Sequence, residues 1–106
     1  MWVATGKNLQ MSEGDYGVAL QYKLKGITFD VADSVKITIK TDLNGAEIVT
    51  KTYSSIQNST VPISFTAAES AKLKPGDWVY ILDWYRDGTF MYNIVNGASF
   101  KVVDKG

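Results

Sequence analysis

Apolar and polar residues alternate along most of this chain, and a period of two is the signature of strands with one face buried. From Val18 the inward set is Val18, Leu20, Tyr22 and Leu24, with Ala19, Gln21, Lys23 and Lys25 turned out. Val35, Ile37 and Ile39 against Lys36, Thr38 and Lys40 predict a second strand. Asp42-Leu43-Asn44-Gly45 follows, and its Asn-Gly pair predicts a tight hairpin turn with positive φ angles. The return strand, Glu47 to Tyr53, has Ile48 on one face and Val49 and Tyr53 on the other, a blurred alternation that suits a sheet edge. Val61, Ile63 and Phe65 then alternate around Pro62, which donates no ladder hydrogen bond and again points to an edge.

Thr66 and Glu69 have the spacing of a capping box and predict a short helical turn over about 66–73. Lys74-Pro75-Gly76 turns the chain into an aromatic strand from Asp77 to Tyr85. Arg86-Asp87-Gly88 reads as a hairpin turn, Phe90 to Val95 as its partner strand, Asn96-Gly97 as a kink or bulge, and Ser99 to Val103 as the last strand. Seven to eight strands at a spacing of about 8–12 residues leave no room for the crossover helices of a parallel sheet. The expected fold is therefore all-β, a single domain over 1–106. The Leu-x-Pro-Gly turn at Leu73 to Gly76, running into the aromatic strand, marks the E–F corner of an immunoglobulin-like antiparallel β-sandwich.

Composition removes most alternatives. Hydrophobic residues make up 45% of 106 residues and aromatics 12%, too rich for a disordered tail, and no run approaches the apolar length of a membrane span. Eleven Lys and Arg balance eleven Asp and Glu, so no basic block exists to neutralise phosphates, and neither nucleic acid nor membrane is an expected partner. The chain has no cysteine and no histidine, which removes disulfides, thiolate nucleophiles, the usual zinc ligands and the usual general base. Asp30 and Asp33 flank Val31-Ala32, and Asp83 and Asp87 flank Trp84-Tyr85-Arg86; neither pair has calcium-loop spacing, and all four read as solvated turn residues. Glycines stand singly at turns, so there is no phosphate loop, and Ser12, Ser34 and Ser70 have no histidine to activate them. No catalytic, cofactor-binding or metal-binding residue is expected, and the chain reads as a non-enzyme. Its start, Met-Trp-Val-Ala-Thr-Gly, lacks the features of a signal peptide, so the expected place of synthesis and first residence is the cytoplasm.

Contact surfaces are then the candidate chemistry. In the aromatic strand Trp78, Tyr80, Leu82 and Trp84 share one face and Val79, Ile81, Asp83 and Tyr85 the other, so neither face is polar throughout. Trp78 and Tyr80 are expected to fill the core and the corner. Trp84, Tyr85 and Tyr92 flank the hairpin tip with nothing intramolecular to cover them, and with Arg86 they form the candidate interaction surface. Asp83, in mid-strand, has to be solvated, hydrogen-bonded or paired with a Lys or Arg of an adjoining strand or another subunit.

Several segments carry a family resemblance: Asp15-Tyr16, Phe29-Asp30-Val31-Ala32-Asp33-Ser34-Val35-Lys36-Ile37-Thr38-Ile39, the run Thr66 to Gly76, and the closing Gly97-Ala98-Ser99-Phe100-Lys101-Val102. In this order they resemble the immunoglobulin-like modules of phage and prophage tail or baseplate proteins, the baseplate upper-protein N-terminal type among them. Trp78 stands where those modules carry tyrosine, so an indole N–H has to replace the corner hydroxyl. The resemblance implies a non-enzymatic structural or adaptor module, a virion component that attaches to other tail proteins or to itself through strand edges and aromatic surfaces, and it allows a homo-oligomer. The alternative is a carbohydrate-binding or adhesion sandwich whose Trp and Tyr rings stack on sugars.

Overall fold

The alternation seen in the sequence becomes eight strands and one short helix in the computed structural model, which describes residues 2–104. The strands are β1 (Val3–Thr5), β2 (Asn8–Ser12), β3 (Leu20–Lys23), β4 (Asp33–Lys40), β5 (Glu47–Ser54), β6 (Thr60–Ile63), β7 (Gly76–Arg86) and β8 (Thr89–Val103), with α1 (Ala67–Ala71) between β6 and β7. Six of them form one sheet in the order β1-β2-β8-β7-β4-β5, and β3 and β6 form the second layer. The fold is an all-β sandwich with a single helical turn, as expected.

The core lies between the layers. Val35, Ile37, Ile39, Tyr80, Leu82, Phe100 and Val102 project from the large sheet onto Leu24, Val61, Ile63 and Phe65, and all are buried. Phe100 is the hub: its ring centroid lies 5.9 Å from that of Trp2, and 6.2 Å from those of Phe65 and of Tyr80, each in edge-to-face geometry.

Local chemistry explains the boundaries. Around α1, the Thr66 hydroxyl accepts the Glu69 N–H at 3.2 Å while the Glu69 carboxylate accepts the Thr66 N–H at 2.8 Å, closing the capping box. After the Lys74-Pro75-Gly76 turn, the Trp78 indole N–H donates to the Lys74 carbonyl at 2.9 Å. Tyr80, two residues on, sends its hydroxyl to the Lys7 carbonyl and lies 2.9 Å from the Tyr22 hydroxyl. At Asp87 (φ 51°) and Gly88 (φ 75°) the β7–β8 turn takes two successive left-handed residues, the geometry of a type I′ hairpin.

Four expectations need correction. Two strands, β1 and β2, precede the first one expected, and β2 runs parallel to β8 (Leu9↔Phe100, Met11↔Val102), so the sandwich is not wholly antiparallel. Leu9 and Met11 are buried by this pairing. Val18 is 71% exposed because β3 begins only at Leu20. The β4–β5 connection is also longer than a two-residue turn. Gly45 N–H reaches the Asp42 carbonyl at 3.0 Å and the Asp42 carboxylate accepts the Asn44 N–H at 2.8 Å, so a side-chain-capped turn makes positive φ angles at Asn44 and Gly45 unnecessary. Finally, the last two expected strands are one. β8 stays paired to β7 throughout by bulging out Gly97, Ile94 and Met91. Gly97 has φ 86°, and a Cβ there would meet Leu43 Cδ2 at 2.4 Å, so the expected kink is a glycine bulge over which Leu43 packs.

A strap joins the layers at the far edge. β5, the outermost strand as anticipated, carries Tyr53, whose hydroxyl donates to the Ser64 carbonyl (2.9 Å) and accepts the Ser64 N–H (3.1 Å). Lys51 adds bonds to the Ser64 carbonyl (2.8 Å) and to Glu69 (3.0 Å). Burial first, and the Glu69 carboxylate second, push the Tyr53 phenol up to about 12 against the opposing Ser64 N–H. Tyr80 is pushed up as well, by burial and by the Tyr22 hydroxyl. Both groups hold their protons more tightly folded than unfolded, so their contribution is complete below about pH 10 and is lost as pH rises through the folded values. Ultraviolet titration is expected to show these two tyrosines ionising only above pH 11, together with loss of near-ultraviolet circular dichroism; six phenols ionising together near pH 10 in a folded protein would contradict this.

Candidate functional site

The β7–β8 hairpin carries all four candidate surface residues, and the pleat divides them. Trp84 continues the inward face of Tyr80 and Leu82. It is half-buried, edge-on to Phe29 (centroids 5.8 Å apart), with the Arg86 guanidinium 5.3 Å above its ring. Tyr85 lies on the opposite face, half-buried and edge-on to its register partner Phe90 at 5.8 Å. Tyr92, the register partner of Trp84, is 59% exposed.

Arg86 has a different task from the one its position suggests. Its Nε and a terminal nitrogen bind the two oxygens of Asp33 at 2.7 and 3.0 Å, and Asp30 stands 3.6 Å away. Asp33 is therefore not a solvated turn residue. It is 1% exposed, and its carboxylate also accepts the Asp30 N–H at 2.9 Å. The Arg86 hydrogen bond holds the Asp33 carboxyl well below the usual carboxylate range; burial works against it, while the Asp30 N–H and the nearby Trp84 indole assist. The indole N–H itself is buried and falls outside strict hydrogen-bond geometry with any group. Asp30 does behave as a turn residue, accepting the Ala32 N–H at 2.8 Å. Asp83 finds an amide and not a cation: Asn93 donates to it at 2.8 Å while also reaching the Val95 carbonyl.

With Trp84 packed on Phe29 and the part-exposed Arg86 held by Asp33, the apolar side chains exposed at this end include residues outside the expected set. Phe90 is 53%, Met91 44% and Val31 97% exposed beside Tyr92. Val31 is brought to the hairpin by the Asp87 N–H, which donates to the neighbouring Ala32 carbonyl at 3.0 Å. The signal for Phe90-Met91-Tyr92 was present: three consecutive large apolar residues cannot all face inward on a strand of period two. The bulge at Met91 then re-aims its side chain. The ion pair left no comparable trace in the sequence.

Among the described residues no three Asp or Glu gather as metal ligands, and no helix is long and apolar enough to cross a membrane. Comparison with protein-family models, with curated proteins and with solved structures finds no match for the chain.

Proposed function

We propose that the chain is a non-enzymatic protein-interaction module, of the kind used in phage and prophage tails and baseplates, and that its contact surface is the β7–β8 hairpin end. The observation that carries the reading is the exposure of Phe90, Met91 and Tyr92 over both faces of a braced hairpin tip, with Val31 on the loop bonded to its turn. At about 150–250 Å² for each large side chain, the open apolar area is roughly 400 Å², shared between the two faces of the tip. The Asp33–Arg86 pair and the stacked Trp84 hold the hairpin base in one geometry, so little ordering entropy is lost on docking.

Sugar binding is the weaker alternative. The three tryptophans are all half-buried: Trp2 against Phe65 and Phe100, Trp78 bonded into the corner, and Trp84 between Phe29 and Arg86. Each indole is therefore only partly available to a pyranose ring, and the more exposed aromatic rings at the hairpin are Tyr92 and Phe90.

Substituting Phe90 and Tyr92 together by serine tests the reading. Affinity capture with the wild-type chain is expected to retain a partner that the double variant loses by at least tenfold, with unchanged far-ultraviolet circular dichroism. Equal capture by both proteins would overturn the assignment of the hairpin.

A further inference from the structure

The smaller layer holds only β3 and β6, so among the described residues one side of β3 has no strand beside it. A cleft of about 430 Å³ follows that side: all four residues of β3 line it and none of β6 does. Ile94 and Val95 of β8 form the opposite wall, where β8 is also bare because β2 pairs only with Phe100 to Val103. The backbone of β3 is set to receive another strand. The Leu24 N–H donates to the Ser59 carbonyl at 2.7 Å, just past the Lys23↔Thr60 end of the β3–β6 ladder. Alternation along an antiparallel ladder then turns the backbone groups of Leu20 and Tyr22 to β6 as well, and those of Gln21 and Lys23 to the cleft. Pro62 agrees with this register, since it stands opposite Gln21, where no N–H is required of it.

The charge of the cleft is one-sided. Lys7, Lys23 and Lys25 line it and no Asp or Glu does, in a chain whose charges balance at eleven each. Among the described residues the side-chain ion pairs engage Lys51 and Arg86 and none of these three. Their backbone is anchored: the buried Tyr80 donates its hydroxyl to the Lys7 carbonyl, and beyond Lys25 the Ser59 hydroxyl donates to the Ile27 carbonyl at 2.7 Å.

We infer that the cleft takes an extended acidic segment of a partner protein, which adds to β3 as a third strand of the smaller layer. Main-chain bonds to Gln21 and Lys23 supply affinity, and alternate side chains supply the choice of partner. Leu20 and Tyr22 are half-buried while Gln21 and Lys23 are exposed, so the inward residues of the segment are apolar, packing on Leu20, Tyr22 and Ile94. Its outward residues are carboxylates that face the lysines. Lysine on a bare edge discourages an apolar strand, so the side chains that guard this edge also select what may join it. No residue of the cleft belongs to the Phe90 to Tyr92 tip, so the site is decided apart from the hairpin reading.

The probe is a short fluorescein-labelled peptide of alternating valine and glutamate, with a counterpart of valine and lysine. Fluorescence anisotropy with the full chain is expected to show saturable binding of the glutamate peptide only, weakening roughly tenfold between about 50 and 300 mM salt. Hydrogen exchange at the Gln21 and Lys23 amides is expected to slow at least about tenfold in the complex, with Leu20 and Tyr22 unchanged. Lys23→Glu and Lys25→Glu replace exposed side chains, so melting temperatures should match wild type while each variant loses about tenfold in affinity. The double variant should prefer the lysine peptide. Absence of saturable binding by about 1 mM peptide overturns the inference. So does binding that leaves the Gln21 and Lys23 amides unprotected, or that inorganic phosphate displaces at matched ionic strength, since the lysines are then a site for free anions with no added strand. Equal binding of the glutamate peptide by wild type and double variant overturns it as well, because the peptide then sits elsewhere.

Discussion

Phe100→Ala is expected to lower the free energy of unfolding by about 3–5 kcal/mol, a large share of the roughly 5–15 kcal/mol available to a domain. Phe100 is fully buried, lies between Leu9 of β2 and Trp78 of β7 in register, and touches Trp2, Phe65 and Tyr80 by its ring edges and faces. Deleting it opens a cavity at the point where both sheets and the N-terminal segment meet. Urea unfolding followed by tryptophan fluorescence should show the midpoint falling with little change in slope. The contrast is with Tyr92→Lys on the same strand, expected within about 0.5 kcal/mol of wild type. If Phe100→Ala costs less than 1 kcal/mol, the packing described here is wrong.

Asp33→Ala is expected to cost about 2–3 kcal/mol, near 10 °C in melting temperature for a domain of this size. The loss is set by three hydrogen bonds to a buried carboxylate, reduced because Arg86 keeps partial access to water and to Asp30. The pH dependence follows from the lowered carboxyl. A group that binds protons less readily folded than unfolded contributes in full above about pH 4 and loses that contribution as pH falls through its folded value. Asp33→Asn should therefore flatten the acid limb of stability between pH 4 and 2. Arg86→Met should do the reverse of wild type, losing most at pH 7, where a bare carboxylate is left buried, and recovering part of that loss on acidification. Wild type and Asp33→Asn with superimposable stability–pH curves would rule out the pair as a stabilising element.

How far the sequence predicts this arrangement depends on the range of the interaction. Val35, Ile37 and Ile39 alternate over one uninterrupted strand, and the Thr66–Glu69 cap is settled within four residues, so both are legible locally. The indole at Trp78 likewise bonds only four residues back, to the Lys74 carbonyl. The parallel β2–β8 pairing joins opposite ends of the chain and has no local signature beyond Leu9 and Met11. Arg86 and Asp33 are likewise distant in sequence and meet only because β4 and β7 are neighbours, so a turn arginine became a brace and its neighbour Trp84 was covered. The residues proposed for contact differ accordingly from those expected, with Phe90, Met91 and Val31 in place of Trp84 and Arg86, and Tyr92 common to both sets.

Lys51 bears on what kind of assembly the protein can enter. It sits on the outermost strand yet directs its ammonium group between the layers, to Ser64 and Glu69. A foreign strand added along β5 would have to seal that cation, with its carboxylate and carbonyl partners, inside a widened sandwich, and inward charges on border strands oppose such lateral accretion. The edge of this sheet is thus guarded against the fusion of sheets that leads to cross-β fibrils.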